Sequence, residues 1–105
     1  MATVLVQEFK ILDDDRSTSN YDHVVHRLDL DNDPPDGLIV HTAGWDEQAG
    51  VFRIVAVWES ADQAAAFMRD RLQPVIDEGP VNPVRREQPD LESMYDAHHT
   101  VRGRA

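Results

Sequence analysis

His41 stands in the run Leu38-Ile39-Val40-His41-Thr42, where a titratable ring is out of keeping with its apolar neighbours. An imidazole in such a place can take up and release a proton near neutral pH, which is general acid–base work. The alternative is a histidine hydrogen-bonded into a core or an interface. His98 and His99 close a later alternating run. Adjacent strand residues point to opposite sides, so one can approach a cavity while the other meets solvent or a partner. Tyr21 offers a hydroxyl at a cavity mouth, or is a core tyrosine whose hydroxyl reaches water. Trp58 can stack on a flat aromatic ligand, or serve only as a core tryptophan beneath a helix. Phe67 and Met68 would extend that apolar wall. Arg53, on an otherwise apolar strand, needs a buried partner. Glu8 or Asp96 can supply it, as a structural ion pair at an interface.

Other chemistries are excluded by what is missing. The chain has no cysteine, which removes disulfides, thiolate metal sites and a cysteine nucleophile. No His-x-His pair or spaced carboxylate accompanies His98 and His99, so no metal site is expected. Asp29-Leu30-Asp31-Asn32-Asp33 resembles the start of a calcium loop. Its sixth position is Pro34 and its twelfth is Val40, which rules that loop out. No phosphate-cradling glycine loop, dinucleotide fingerprint or serine-nucleophile elbow is present. Twenty acidic residues against ten basic ones give a formal charge of −10, which repels nucleic-acid backbones and anionic membranes. No apolar run approaches the roughly 20 residues that span a bilayer. No signal peptide is read at the N-terminus, so the expected location is the cytoplasm.

The elements that must position these residues follow from periodicity. Val4–Phe9 alternates as a strand. Ser19 is the expected cap of a first helix, with Asp22 three residues on in a capping-box position. Tyr21, Val24, Val25 and Leu28 form its buried stripe, and His23 and His26 fall on its solvent side. Pro34 and Pro35 enforce a turn. Leu38–Trp45 and Val51–Trp58 read as two strands joined by a polar hairpin. Ser60 caps a second helix, with Gln63 completing a capping box. Pro74 interrupts it and is well placed at the start of a short second helix, 74–78, closed by Gly79. An irregular segment, 79–90, leads to a last strand, Leu91–His99, and a frayed tail, 101–105.

The order β-α-β-β-α-β, with right-handed crossovers, makes one ferredoxin-like α+β domain over residues 1–105. Its four-stranded antiparallel sheet carries both helices on one face. The other face has apolar side chains and no third layer, so a second copy is the expected cover, by two-fold symmetry. The expected assembly is a homodimer.

Three segments carry a resemblance: Tyr21-Asp22-His23-Val24-Val25-His26-Arg27-Leu28, Val55-Ala56-Val57-Trp58-Glu59-Ser60, and Phe67. They resemble the dimeric α+β barrel superfamily, in its branch of small antibiotic biosynthesis monooxygenase-like proteins. The strand-to-helix junction Trp58-Glu59-Ser60 is the most specific part, and the resemblance spans nearly the whole chain. It implies cofactor-free oxygenation of aromatic polyketide-like substrates, haem breakdown, isomerisation or ring closure. The haem-degrading relatives use a first-strand asparagine and a tryptophan and histidine on the second helix. Here those places hold Gln7 and Glu8, and Phe67 and Asp77, so haem chemistry is disfavoured. The cofactor-free monooxygenases use an asparagine, a tryptophan and an arginine, for which Asn20, Trp45 or Trp58, and Arg53 are the nearest candidates.

The expected function is a small cofactor-independent enzyme of secondary metabolism. It acts on a hydrophobic, aromatic or polyketide-like molecule, as a monooxygenase-like oxidoreductase or as a cyclase or isomerase. His41 is the first candidate for the acid/base and His98 the second. Tyr21, Trp58, Phe67 and Met68 are the expected substrate-binding walls. The alternatives are a non-catalytic dimeric module that binds a ligand or partner, and a haem-binding relative.

Overall fold

Side-chain alternation sorts this chain into four strands, each with one face toward the helices. The computed structural model describes residues 1–79 and 88–104. Strands β1 (Thr3–Lys10), β2 (Leu38–Asp46), β3 (Val51–Trp58) and β4 (Leu91–Asp96) pair antiparallel in the order β2-β3-β1-β4. With the helices this is the expected ferredoxin-like α+β fold. Most of the expected irregular segment 79–90 lies outside the described residues. Among the described residues, no helix is long and apolar enough to cross a membrane.

Register decides which face each residue serves. Thr3 pairs with Trp58, Leu5 with Ala56 and Phe9 with Phe52, so β1 and β3 present these side chains together toward the helices. The intervening Val4, Val6, Val55 and Val57 point the other way. On β2 the register shifts between Leu38 and Val40. Leu38 pairs with Trp58, but His41 pairs with Ala56. One extra residue, near Ile39, has entered the strand. A single-residue slip reverses every later side chain. Carried on from Leu38 without that shift, the pairing would turn His41 onto the bare face.

Helix α1 (Ser19–Leu28) lays Tyr21, Val24, Val25 and Leu28 over the sheet. Its cap differs from expectation. Thr18 holds the cap position and Ser19 is the first helical residue. The Thr18 hydroxyl donates to the Asp22 carboxylate at 2.8 Å, and the Ser19 N–H donates to Ser17 Oγ at 3.2 Å. The helix starts one residue earlier than expected because the Asp22 N–H already bonds to Thr18 O, at 2.8 Å. Helix α2 (Ala61–Phe67) is capped by Ser60 as read, its Oγ accepting from the Gln63 N–H at 3.2 Å. The Gln63 side chain also fills the space beside Gly37. A Cβ on Gly37 would stand 2.4 Å from Gln63 Cδ, and the residue's φ of +86° independently favours glycine.

The short helix expected at Pro74 is present, with Pro74 in its first turn, and it runs on from the helix before it. A π-helical turn, Met68–Leu72, joins α2 directly to α3 (Gln73–Ile76). Proline has no N–H to donate to the carbonyl four residues back. The widened turn lies where that α-helical bond is missing. Arg71, within this turn, donates to Leu28 O at 2.8 Å and Asp33 O at 3.0 Å, tying the end of α1 to the second helical segment. Strand β4 also ends early, at Asp96 and not His99. The last bond on its β1 side is Ala97 N–H to Ala2 O, 2.8 Å, and beyond Ala2 the neighbouring strand runs out.

The core is small. Ala56, Trp58 and Ala64 are its buried centre, with Leu38, Phe67 and Met68 packed on it. The bare face leaves Val40, Leu91 and Tyr95 about half exposed, at 46%, 47% and 53%. Arg53 sits on that face, as read, and donates to Glu8 at 2.7 Å. Its second partner is Asp46, also at 2.7 Å, in place of the alternative Asp96. Asp96 pairs with Thr3 and therefore belongs to the helix-side face.

Candidate functional site

Between the helices and the sheet lies a cavity of about 380 Å³. Its wall is mostly apolar and includes Trp58, Phe67 and Met68, with the rings of Trp58 and Phe67 5.3 Å apart. Polar side chains, among them Gln7, Lys10 and Asn20, complete its border. Gln7 donates to Glu92 across the strands at 2.9 Å.

Two titratable side chains from different elements meet in this wall. Tyr21, from the first turn of α1, and His41, from β2, hold Tyr21 Oη and His41 Nε2 2.8 Å apart. Their rings are nearly parallel, at 13°, and the edge of Phe52 packs against Tyr21 with centroids 5.3 Å apart. The helical stripe turns Tyr21 inward, and the regular pairing of β2 back from the hairpin, Trp45 opposite Phe52 and His41 opposite Ala56, turns His41 to meet it. Burial pushes the His41 pKa below its ordinary value, because a charged imidazole would lose water. Burial pushes the Tyr21 hydroxyl up, and the nearby Asp22 and Asp31 carboxylates add to that. Both groups are neutral near pH 7.

A neutral imidazole carries one N–H, so the pair has two proton arrangements. In one, Tyr21 donates to Nε2 and the proton-bearing Nδ1 is a donor. In the other, Nε2–H donates to the tyrosine oxygen. Nδ1 is then a free base, and the tyrosine proton can go to a ligand. The pair can therefore remove a proton at one point and deliver one at another.

Trp58 adds a different polar group. It is 3% exposed, and its Nε1 has no hydrogen-bond partner among the described residues.

The structure thus gathers five of the six expected site residues, Tyr21, His41, Trp58, Phe67 and Met68, around one cavity. His98 lies past the end of β4, exposed, and is not part of this wall. Of the asparagine, tryptophan and arginine candidates, Asn20, Trp45 and Trp58 border the cavity, and Arg53 faces away from it. His23, expected on the solvent side, is half-buried on the cavity border. Sequence reading missed the Tyr21–His41 contact. The helical stripe placed Tyr21 inward and alternation placed His41 on the face of Trp45, but which helix residue meets which strand residue is stated by neither pattern. Among the described residues, no three histidine or carboxylate side chains come together as metal ligands.

No family model and no curated protein matches the chain. Solved structures do match. A candidate antibiotic biosynthesis monooxygenase from Chloroflexus aurantiacus superposes with a TM-score of 0.60, over 100% of this chain and 98% of that one, at 16% identity. A variant of SnoaB, a cofactor-independent oxygenase from Streptomyces nogalater, gives 0.60 over 95% and 96%, at 16% identity. A protein from Mycobacterium tuberculosis gives 0.65 over 97% and 100%, at 10% identity. The likeness is one of fold: this chain has the architecture of the antibiotic biosynthesis monooxygenase-like proteins.

Proposed function

We propose that this protein is a cofactor-independent enzyme that moves protons on a hydrophobic, aromatic or polyketide-like ketone. The observation that carries this reading is the 2.8 Å contact between Tyr21 Oη and His41 Nε2 in the wall of an apolar cavity. The first step is enolisation. His41 Nδ1 takes a proton from the carbon next to the carbonyl. The proton on Nε2 passes to the Tyr21 oxygen, and the Tyr21 hydroxyl proton passes to the carbonyl oxygen. The ketone becomes an enol, and the histidine is left as its other tautomer. A second transfer in reverse, onto a different carbon, completes an isomerisation and resets the pair. Ring closure and oxygenation by free dioxygen start from the same electron-rich carbon. The fold it shares with an oxygenase that needs no cofactor supports this reading.

The working unit in this proposal is a homodimer, with a second copy covering the bare face that exposes Val40, Leu91 and Tyr95. A purely binding module would be expected to keep its histidine locked into the core. His41 instead borders open volume and is bonded to a second titratable group, which favours the enzyme.

The direct test is hydrogen–deuterium exchange at the carbon next to the carbonyl of 1-tetralone, followed by NMR. The wild-type chain is expected to accelerate it, and His41→Ala to remove the acceleration. Equal exchange by the two would overturn the assignment.

A further inference from the structure

The cavity runs the full width of the sheet, from His41 on the edge strand β2 to Glu92 on the opposite edge strand β4. Two polar side chains meet at that far border. Gln7 and Glu92 stand opposite each other on β1 and β4, and Gln7 Nε2 donates to Glu92 Oε2 at 2.9 Å. Both residues border the cavity, and Glu92 is exposed, so the pair is within a ligand's reach. Neither takes part in the proposed proton transfers.

The chemistry of the pair is one-sided. A carboxylate only accepts hydrogen bonds, so it fixes the Gln7 amide with its nitrogen toward Glu92. Its two oxygens can accept further donors after that one. Among the described residues, Gln7 is the one side-chain partner of the Glu92 carboxylate. Lys10 also borders the cavity, but it alternates with Phe9 and stands opposite Val51, so its side chain leaves β1 on the bare face. What remains is a negative acceptor at the rim of an apolar space with no cation paired to it. Such a group is satisfied by a donor and repels an anion.

Register gives its distance from the reacting end. His41 stands opposite Ala56, Ala56 stands opposite Leu5, and Gln7 lies two residues beyond Leu5 on the same face. Strands roughly 4.8 Å apart, rising roughly 3.3 Å per residue, put the His41 and Gln7 backbones about 12 Å apart. We propose that Glu92, held in place by Gln7, is the specificity-determining group of the cavity. It selects a substrate with a hydrogen-bond donor, a phenolic hydroxyl, at the end remote from the reacting carbon, and it rejects one with a carboxylate there. This deepens the enzyme reading and rests on it.

Three ligands test the assignment: the linear tricyclic homologue of 1-tetralone carrying a hydroxyl, a methoxy or a carboxylate group on the ring remote from the ketone. The wild-type chain is expected to bind the hydroxyl compound about tenfold more tightly than the methoxy one, the gain of a hydrogen bond to a carboxylate. The carboxylate compound should bind more weakly than either. In Glu92→Leu the hydroxyl preference should fall below about twofold, because the acceptor is gone. The carboxylate compound should then bind as well as the methoxy one. Glu92→Gln keeps an acceptor and loses the charge, so it should lift the carboxylate penalty and retain part of the hydroxyl preference. Asp96→Asn, on the same face of β4 but outside the cavity wall, should change neither.

Equal binding of the hydroxyl and methoxy compounds by wild type overturns the proposal. So does a hydroxyl preference that survives intact in Glu92→Leu. If none of the three compounds binds, the specificity group and the substrate cavity fall together. If the Glu92-dependent preference is present but wild type does not accelerate exchange next to the ketone, the selection by Glu92 stands and the proton-transfer function falls.

Discussion

The two faces of the sheet are made by the same strands, residue by residue, yet they solve opposite problems. Toward the helices, Ala56, Trp58 and Ala64 are sealed, and Tyr21 and His41 meet as a pair of titratable groups. On the bare face, valines alternate with an exposed tyrosine and leucine, and the polar chemistry is full ionic pairing of Arg53 with Glu8 and Asp46. On the helix side, partial burial pushes His41 and Tyr21 toward their neutral forms. On the bare side, the pairing of Arg53 with Asp46 favours the charged form of both. In the proposed function, the first condition suits proton transfer and the second suits a face covered by a second copy.

The largest effect expected from breaking this contrast is catalytic. His41→Ala should lower turnover by about 10²–10⁴-fold, the usual contribution of a positioned acid–base group, with ligand affinity largely kept. Steady-state kinetics on an enolisable aromatic ketone measure it. Next is packing. Trp58→Ala should cost about 3–5 kcal/mol in a urea titration, as a large buried ring leaves a hole. Val57→Ala, one residue away on the bare face, should cost about 1 kcal/mol. Equal losses would mean that the bare face is as tightly packed as the core, which only a covering partner could arrange.

Val55→Asp tests that partner. Sedimentation should show two chains for wild type and one for the variant, with far-ultraviolet circular dichroism unchanged. A single-chain mass for wild type at micromolar concentration would refute the dimer.

The smallest effect is the most diagnostic of the two electrostatic regimes. Burial lowers the His41 pKa, so the unfolded chain binds more protons there as pH falls below about 6.5. The stability associated with neutral His41 is complete above that value and declines as pH drops toward the folded-state pKa. The bare face responds elsewhere. Its Arg53 partner holds the Asp46 carboxyl below its ordinary range, first through the hydrogen bond between them. That stabilisation is present above the ordinary carboxylate pKa and is lost only as pH falls through the depressed one. Urea midpoints from pH 7 down to 3 should therefore show two separate declines, and His41→Gln should remove only the upper one.

Much of this contrast can be read before any coordinates. Strict alternation in Val51–Trp58 assigns Phe52, Ile54, Ala56 and Trp58 to one side and Arg53, Val55 and Val57 to the other, and the structure keeps that division. The stripe of α1 is equally legible, and so is the Ser60 cap. What cannot be read arises where local signals are degenerate. Ser17, Thr18 and Ser19 are all competent caps, so sequence does not choose among them. Pro74 announces a break in hydrogen bonding, but not that a π turn will absorb it. His98 follows a strand-like pattern, yet the length of β4 is set by where β1 begins, 95 positions earlier in the chain at Thr3. The Tyr21–His41 contact joins two elements whose separate patterns place each residue on the right face but do not say which residues will meet.

The register shift in β2 makes the site indifferent to chain length upstream of it. The extra residue is absorbed between Leu38 and Val40, and the pairing from Val40 to Asp46 is regular. With one residue removed there, Val40 would still stand opposite Val57 and His41 opposite Ala56. The face of the imidazole is therefore set from the hairpin end of the strand, and the segment between α1 and β2 is free to gain or lose a residue without turning His41 away from Tyr21.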